Sequence, residues 1–133
     1  MRTLLLIPAA LLIANADAAP PLSSEGQAKL DKATVGRLAG EPRPCIPTRS
    51  AFRQRIIDED AILFESRTGE LWLNRTRGSC NLDRSSAFKR QTIGSNMCSG
   101  EVLIAFDPAN GAPRGSCGFG DFVPYAKAEA QRR

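Results

Sequence analysis

The sequence predicts a mainly β protein: a small antiparallel curved sheet or half-open barrel with two disulfides and a short N-terminal helix or leader. Three observations lead to this fold class. Short apolar runs alternate with turn residues through the middle of the chain. Four cysteines follow an export signal. Glycines at 115, 118 and 120 interrupt the last apolar stretch, where a curved sheet needs tight bends.

The first 18 residues read as a secretory signal peptide. Arg2 supplies the positive charge, Leu4 to Ile13 form an apolar run, and Ala16-Asp17-Ala18 is a small-x-small cleavage site. The apolar run is about half the length of a membrane-spanning helix. We therefore expect cleavage near Ala18, a periplasmic or secreted protein of 115 residues, and no transmembrane segment in the mature chain.

The mature chain divides into three parts by composition. Residues 19–40 form a leader in which Ser24 and Gln27 fit a capping box, which predicts a mobile or loosely docked helix from about Glu25 to Leu38. Residues 41–126 form the disulfide-stabilised β domain. Residues 127–133 are expected to be a frayed tail.

Within the β domain, two hairpins are the clearest local predictions. Strands at Ala61–Glu65 and Leu71–Thr76 flank a turn, and a strand at Glu101–Phe106 runs into an Asn-Gly turn at Asp107–Gly111. The return strand of this second hairpin is predicted over the whole of Gly115–Tyr125. A further strand is expected at Ala87–Ile93.

The cysteines are predicted to form two structural disulfides, because their number is even and the chain is exported. The four residues are Cys45, Cys80, Cys98 and Cys117, and no Cys-x-x-Cys spacing supports a zinc or redox site. Three connectivities satisfy the sequence. We favour Cys80–Cys98 with Cys45–Cys117, which would clamp one loop and tie the start of the domain to its last strand.

Several segments around the cysteines resemble a known family. They are Gly36–Pro42 with Cys45-Ile46-Pro47, Leu73-Asn74 with Cys80-Asn81-Leu82, Cys98–Glu101, and Gly115–Tyr125 with its Phe-Val-Pro-Tyr end. Over residues 36–125 the chain is similar to a family of small exported proteobacterial proteins classed as a domain of unknown function. That family usually has Asp where this chain has Glu101. The resemblance implies export and a disulfide-bearing fold, and it carries no activity.

Enzymatic function is not expected. The chain contains no histidine, which excludes histidine-based triads, general bases and metal sites. Ser86 and Lys89 lack the partner motifs of a Ser/Lys hydrolase. The acidic run Asp58-Glu59-Asp60 has neither converging carboxylates nor calcium-loop spacing, and it is interpreted as a solvated turn. No catalytic residue, metal or cofactor is predicted.

The candidate functional residues are basic. Arg75, Arg77, Arg84, Lys89 and Arg90 form the densest basic region of a chain with a net charge of +4. They are candidates for an anion-binding site, because arginine forks match carboxylates and phosphates. The alternative is a solvated loop face in an arginine-rich chain.

Three classes of function follow. The first is a non-catalytic exported domain that binds a protein or an anionic envelope component; the second is a purely structural or accessory envelope protein; the third, an enzyme without histidine, is least favoured. Nucleic acid is not an expected partner, since export and sparse aromatics argue against it. The aromatic residues Phe64, Trp72, Phe106, Phe119 and Phe122 are assigned to the core, with Trp72 the one candidate for exposure.

Overall fold

A computed structural model describes residues 19–78, 80–91 and 93–129. The predicted signal peptide and the last four residues of the predicted tail lie outside these residues. Within them, the elements are helix α1 (Ser24–Ala33), a 3₁₀ turn (Thr48–Ala51) and eleven strands. The strands are β1 (Arg37–Ala39), β2 (Cys45–Pro47), β3 (Arg53–Asp58), β4 (Ala61–Glu65), β5 (Leu71–Arg75), β6 (Arg77–Gly78), β7 (Ala87–Arg90), β8 (Asn96–Cys98), β9 (Val102–Phe106), β10 (Pro113–Gly118) and β11 (Phe122–Lys127).

The strands form three antiparallel sheets, which confirms the predicted mainly β fold class. A five-stranded sheet has the order β1-β11-β5-β4-β3, a four-stranded sheet has the order β6-β10-β9-β7, and β2 pairs with β8. The hairpin of β4 and β5 is confirmed, with Leu63 opposite Leu73. The second hairpin, β9 and β10, is also confirmed, and Gly111 adopts φ +72° in its turn.

Two apolar clusters cover the two faces of the five-stranded sheet. Phe64, Phe119 and Phe122 belong to a cluster that takes residues from all three sheets. On the opposite face, Leu30 of α1 packs with Leu63 and other residues of the sheet. Both faces of β4 and β5 are therefore buried, which explains why these strands are apolar at consecutive positions rather than at every second one.

Burial of both faces corrects the prediction for Trp72. The side chain is only 7% exposed, and Arg43 lies over its ring with the guanidinium carbon 5.5 Å from the centroid. Neighbouring β11 places Pro124 opposite Trp72 in the sheet. The predicted exposed face does not exist because a helix covers one side of β5 and the other sheets cover the other. Phe106, also assigned to the core, is half-buried.

Helix α1 is shorter than predicted and is packed rather than loosely docked. Ser23, not Ser24, is the N-cap, and its Oγ accepts a hydrogen bond of 3.0 Å from Gly26 N–H. The helix ends before Thr34, whose hydroxyl donates to the Leu30 carbonyl. Instead of continuing to Leu38, the chain turns at Gly36 and forms β1, which pairs with β11.

The predicted return strand Gly115–Tyr125 is two strands in two different sheets. β10 ends at Gly118 and pairs with β9, whereas β11 starts at Phe122 and pairs with β5. The chain changes sheet at Gly120, where a Cβ atom would overlap the Arg75 carbonyl oxygen. The chain does bend at the predicted glycines, but the bend separates two strands instead of curving a single one. The strand predicted at Ala87–Ile93 similarly ends at Arg90.

The disulfides are Cys45–Cys98 and Cys80–Cys117, so the favoured connectivity was wrong. Cys45 and Cys98 are direct partners in the two-stranded sheet, with Cα atoms 4.1 Å apart. Cys117 lies opposite Gly78, which brings it close to Cys80. Strand pairing decides both bonds, and that pairing joins segments 53 and 37 residues apart in the chain.

Candidate functional site: a polar pocket

A cavity lined by described residues opens where the five-stranded and four-stranded sheets meet at their strand ends. It measures about 600 Å³, and we call it the polar pocket. Asp60 comes from the turn between β3 and β4, while Arg75, Thr76 and Arg77 come from the passage of the chain from β5 to β6. Asp121 comes from the segment between β10 and β11, and Ala19 and Pro20 complete the rim.

Arg75 and Asp60 form a fixed pair on one side of the polar pocket. The Arg75 Nη2 atom donates to Asp60 Oδ2 at 2.8 Å and to the Pro20 carbonyl at 2.6 Å. The Thr76 N–H donates to the Asp60 carbonyl at 2.7 Å, so the backbone holds the two segments together as well. This pair anchors the residues that precede α1 to the end of β5.

Two polar atoms in this region are buried without a partner among the described residues. They are Thr76 Oγ1 and Arg75 Nε. Thr76 as a whole is only 6% exposed. Buried polar groups are almost always satisfied in folded proteins, because an unmade hydrogen bond leaves the desolvation cost of the group uncompensated. Both atoms have almost no solvent-accessible surface, so a ligand in the polar pocket could reach them only after a local rearrangement of the chain.

The remaining charges of the polar pocket are accessible. Arg77 and Asp121 are both exposed. Neither takes part in an ion pair with another described residue. Arg77 offers a guanidinium fork that can bind an anion in a bidentate way. Asp121 offers an acceptor for a hydroxyl or ammonium group carried by the same ligand.

The Asn74 side chain holds one of the backbone segments that line the polar pocket. Its side chain is fully buried, donates from Nδ2 to the Gly120 carbonyl at 2.7 Å and accepts from the Gly120 N–H at 3.1 Å. This pair of bonds fixes the segment that carries Asp121 against the end of β5. Nothing near Asn74 in the sequence indicates this role, because its partner lies 46 residues away.

The five predicted basic residues do not form one surface. Arg75 and Arg77 share the polar pocket, whereas Lys89 and Arg90 belong to β7, at the opposite edge of the four-stranded sheet from β6. Arg84 is exposed and pairs with Glu25 at 3.3 Å.

Arg90 joins neighbouring strands through its guanidinium group. Its guanidinium contacts Glu101 at 3.1 Å and donates to the Asn96 carbonyl at 2.9 Å. The other Glu101 oxygen accepts from the Cys98 N–H at 3.0 Å. Arg90 and Glu101 thus connect β7 to β8, the strand that carries Cys98.

The sequence analysis did not single out Thr76, which lines the polar pocket between Arg75 and Arg77. The residues Asn74-Arg75-Thr76 also match a glycosylation sequon. No local pattern in the sequence shows that Thr76 lies beside Asp121, because the two residues are brought together only by the pairing of β5 with β11.

Among the described residues, no three Asp, Glu, Cys or His side chains cluster in a way that could hold a metal ion. The same part of the chain contains no helix with the length and apolar character needed to cross a bilayer. No protein-family model, curated protein or solved structure matches the chain.

Proposed function

We propose that this protein is an exported, non-catalytic binding domain whose polar pocket takes an anionic group of a protein or envelope component. The observation that carries the proposal is the pair of exposed charges in the polar pocket, Arg77 and Asp121, neither of which forms an ion pair with another described residue. The Arg77 guanidinium can donate two hydrogen bonds to an anionic group and neutralise its charge. The two disulfides and the signal-like N-terminus support export to an oxidising compartment.

The charges of the polar pocket narrow the class of ligand. Asp60 is already paired with Arg75, so Arg77 and Asp121 are the groups left to meet a ligand. A bare anion would use only Arg77 and would face repulsion from Asp121. A carboxylate or phosphate that also carries a hydroxyl or amine group would satisfy both. We therefore expect sugar acids or zwitterions to bind better than simple anions.

Titration with three small probes tests this proposal. Inorganic phosphate, glycine and glucuronate are added to isotopically labelled protein at low salt, and amide chemical shifts are followed by NMR. We expect shifts at residues 75–77 and 120–121, with glycine or glucuronate binding more tightly than phosphate. Binding of no probe, or shifts elsewhere, would contradict the proposal.

Two variants separate binding from folding. Arg77→Gln removes the exposed charge of the polar pocket and should weaken probe binding about fivefold or more, or about 1 kcal/mol. Thr76→Val removes the buried hydroxyl with little change of shape and tests stability alone. Arg49→Gln, at an exposed arginine outside the polar pocket, is the matched control and should bind as the parent does. Without ligand, Thr76→Val should be as stable as the parent or more so, because it deletes an unsatisfied buried group.

The alternative, a purely structural envelope protein, is supported by a different observation. Arg75, Arg84 and Arg90, three of the five candidate anion-binding residues, are held in ion pairs within the chain. If the basic residues serve only to join elements, none of the probes will bind. The same titration therefore decides between the two functions.

A further inference from the structure

The two large sheets leave an open groove that shares no lining residue with the polar pocket. The five-stranded sheet ends at β3 and the four-stranded sheet ends at β7. Between these edges lies a cavity of about 510 Å³, which we call the open seam. It is lined by Gln54, Arg55 and Ile56 of β3 and by Arg84, Ala87 and Phe88.

Both edges of the open seam carry unpaired backbone. Within the described residues, β3 pairs only with β4, and β7 pairs only with β9. One side of each strand therefore presents N–H and C=O groups without a ladder partner. Such an edge is a template for an additional strand, and many proteins bind extended peptides in this way.

The open seam has an apolar floor. Ile56 and Phe88 are half-buried and pack against the cluster shared by the three sheets. The Phe88 ring lies edge-on to Phe64, with centroids 6.3 Å apart. Because side chains alternate along a strand, every second residue of an added strand would meet this floor and the residues between would face outward.

The walls of the open seam are basic. Arg55 and Arg84 contact their acidic neighbours, Glu65 and Glu25, at 3.3 Å, and their side chains are 51% and 82% exposed. Exposed ion pairs of this kind contribute little to stability, so an incoming carboxylate can compete for both arginines. An extended segment with acidic residues is the occupant that this charge favours.

A second copy of the chain is a poor occupant. Each β3 strand carries Arg53 and Arg55 against one acid, Asp58, so two β3 edges side by side would carry a net positive charge in every register. Like charges on neighbouring strands destabilise pairing.

We propose that the open seam binds an extended acidic segment of another protein, which adds as a strand to β3. This surface is separate from the polar pocket, so the two proposals stand or fall independently.

Peptide binding with charge exchange tests this inference. The probe is a blocked peptide of about eight residues that alternates valine and glutamate, compared with the same peptide carrying lysine for glutamate. Fluorescence anisotropy should show that the parent protein binds only the glutamate peptide. The double variant Arg55→Glu with Arg84→Glu should lose about tenfold or more in affinity for it and gain affinity for the lysine peptide.

A control double variant separates the open seam from net charge. Arg49→Glu with Lys127→Glu changes the total charge by the same amount at two exposed residues outside the open seam. It should keep the affinity of the parent within about twofold. Equal losses in the two double variants would show that the peptide responds only to overall charge, which overturns the proposal.

Hydrogen exchange locates the added strand. With saturating glutamate peptide, amides in residues 53–56 should exchange more slowly, and those in residues 37–39 should not change. The proposal is overturned if the peptide does not bind at about 1 mM, or if it binds and leaves exchange at β3 unaltered. It is also overturned if the chain alone dimerises with protection of β3.

Discussion

The side chain of Asn74 holds the link between β10 and β11 from inside the protein. It is fully buried and exchanges two hydrogen bonds with the backbone of Gly120. Gly120 has no space for a side chain, because a Cβ would collide with the Arg75 carbonyl. The two residues therefore depend on each other. Gly120 lets its backbone lie close to the Arg75 carbonyl, and the Asn74 side chain supplies hydrogen-bond partners for the Gly120 N–H and carbonyl.

Replacing Asn74 tests this dependence. Asn74→Ala should reduce the free energy of unfolding by about 2–4 kcal/mol, because it leaves a buried N–H and a buried C=O without partners. Urea denaturation measures the loss. Asn96→Ala, at an exposed asparagine, should cost less than about 0.5 kcal/mol. A cost for Asn74→Ala as small as that of the control would contradict the role assigned to the side chain.

At the scale of elements, a network around Asp83 ties the loop before β7 to β10. Asp83 Oδ1 accepts from the Ser85 hydroxyl at 2.7 Å, from the Ser85 N–H at 2.8 Å and from the Ser86 hydroxyl at 3.1 Å. Its other oxygen pairs with Arg114 of β10. These hydrogen bonds lower the pKa of Asp83 from 3.8 to about 2, and the bond from the Ser85 side chain has the largest effect.

This low pKa predicts how the network depends on pH. Because the pKa is lower in the folded state, the stabilisation by Asp83 is complete above pH 3.8 and is lost as the pH falls towards 2. Asp83→Asn should therefore melt at a lower temperature than the parent at neutral pH, and the difference should shrink across that window. Thermal unfolding between pH 2 and pH 7 measures it. A constant difference over the whole range would contradict the prediction.

For the whole molecule, the two disulfides differ in their surroundings. Cys80 and Cys117 are buried in the cluster that joins the three sheets, whereas Cys45 is exposed and bonds across the small sheet of β2 and β8. Chain entropy alone predicts about 4 kcal/mol for each bond, slightly more for Cys45–Cys98 with its longer loop. Burial predicts that Cys80–Cys117 contributes more to stability, because removing its sulfur atoms from the core also leaves a cavity.

We expect burial to decide this order. The double variant Cys80→Ala with Cys117→Ala should lose about 1–2 kcal/mol more than Cys45→Ala with Cys98→Ala, as measured by urea denaturation. Mild reduction should open Cys45–Cys98 first, and peptide mapping without reductant should recover this pair and Cys80–Cys117. A larger loss for the exposed bond would mean that loop length outweighs packing, and mapping of Cys45–Cys117 would contradict the strand pairing itself.

The prediction from sequence succeeded where neighbours along the chain decide the structure. The Asn-Gly turn and the β4–β5 hairpin each depend on about fifteen or fewer consecutive residues. It failed at Gly115–Tyr125, because a run of apolar residues and glycines looks the same whether it forms one strand or two. It left Trp72 as a candidate for exposure within an otherwise correct core assignment, since alternation cannot reveal that both faces of a strand are covered.

The sequence by itself determined the mainly β class, the positions of the local turns and the presence of two cysteine pairs, because turn chemistry and cysteine number are local or compositional properties. Only the tertiary structure decided which cysteines bond, that Asn74 meets Gly120, and that Arg75, Thr76 and Arg77 share a pocket with Asp121. These contacts join residues 37 to 53 positions apart, except within the Arg75–Arg77 segment. Strand order sets such contacts, and strand order depends on how the whole apolar core packs.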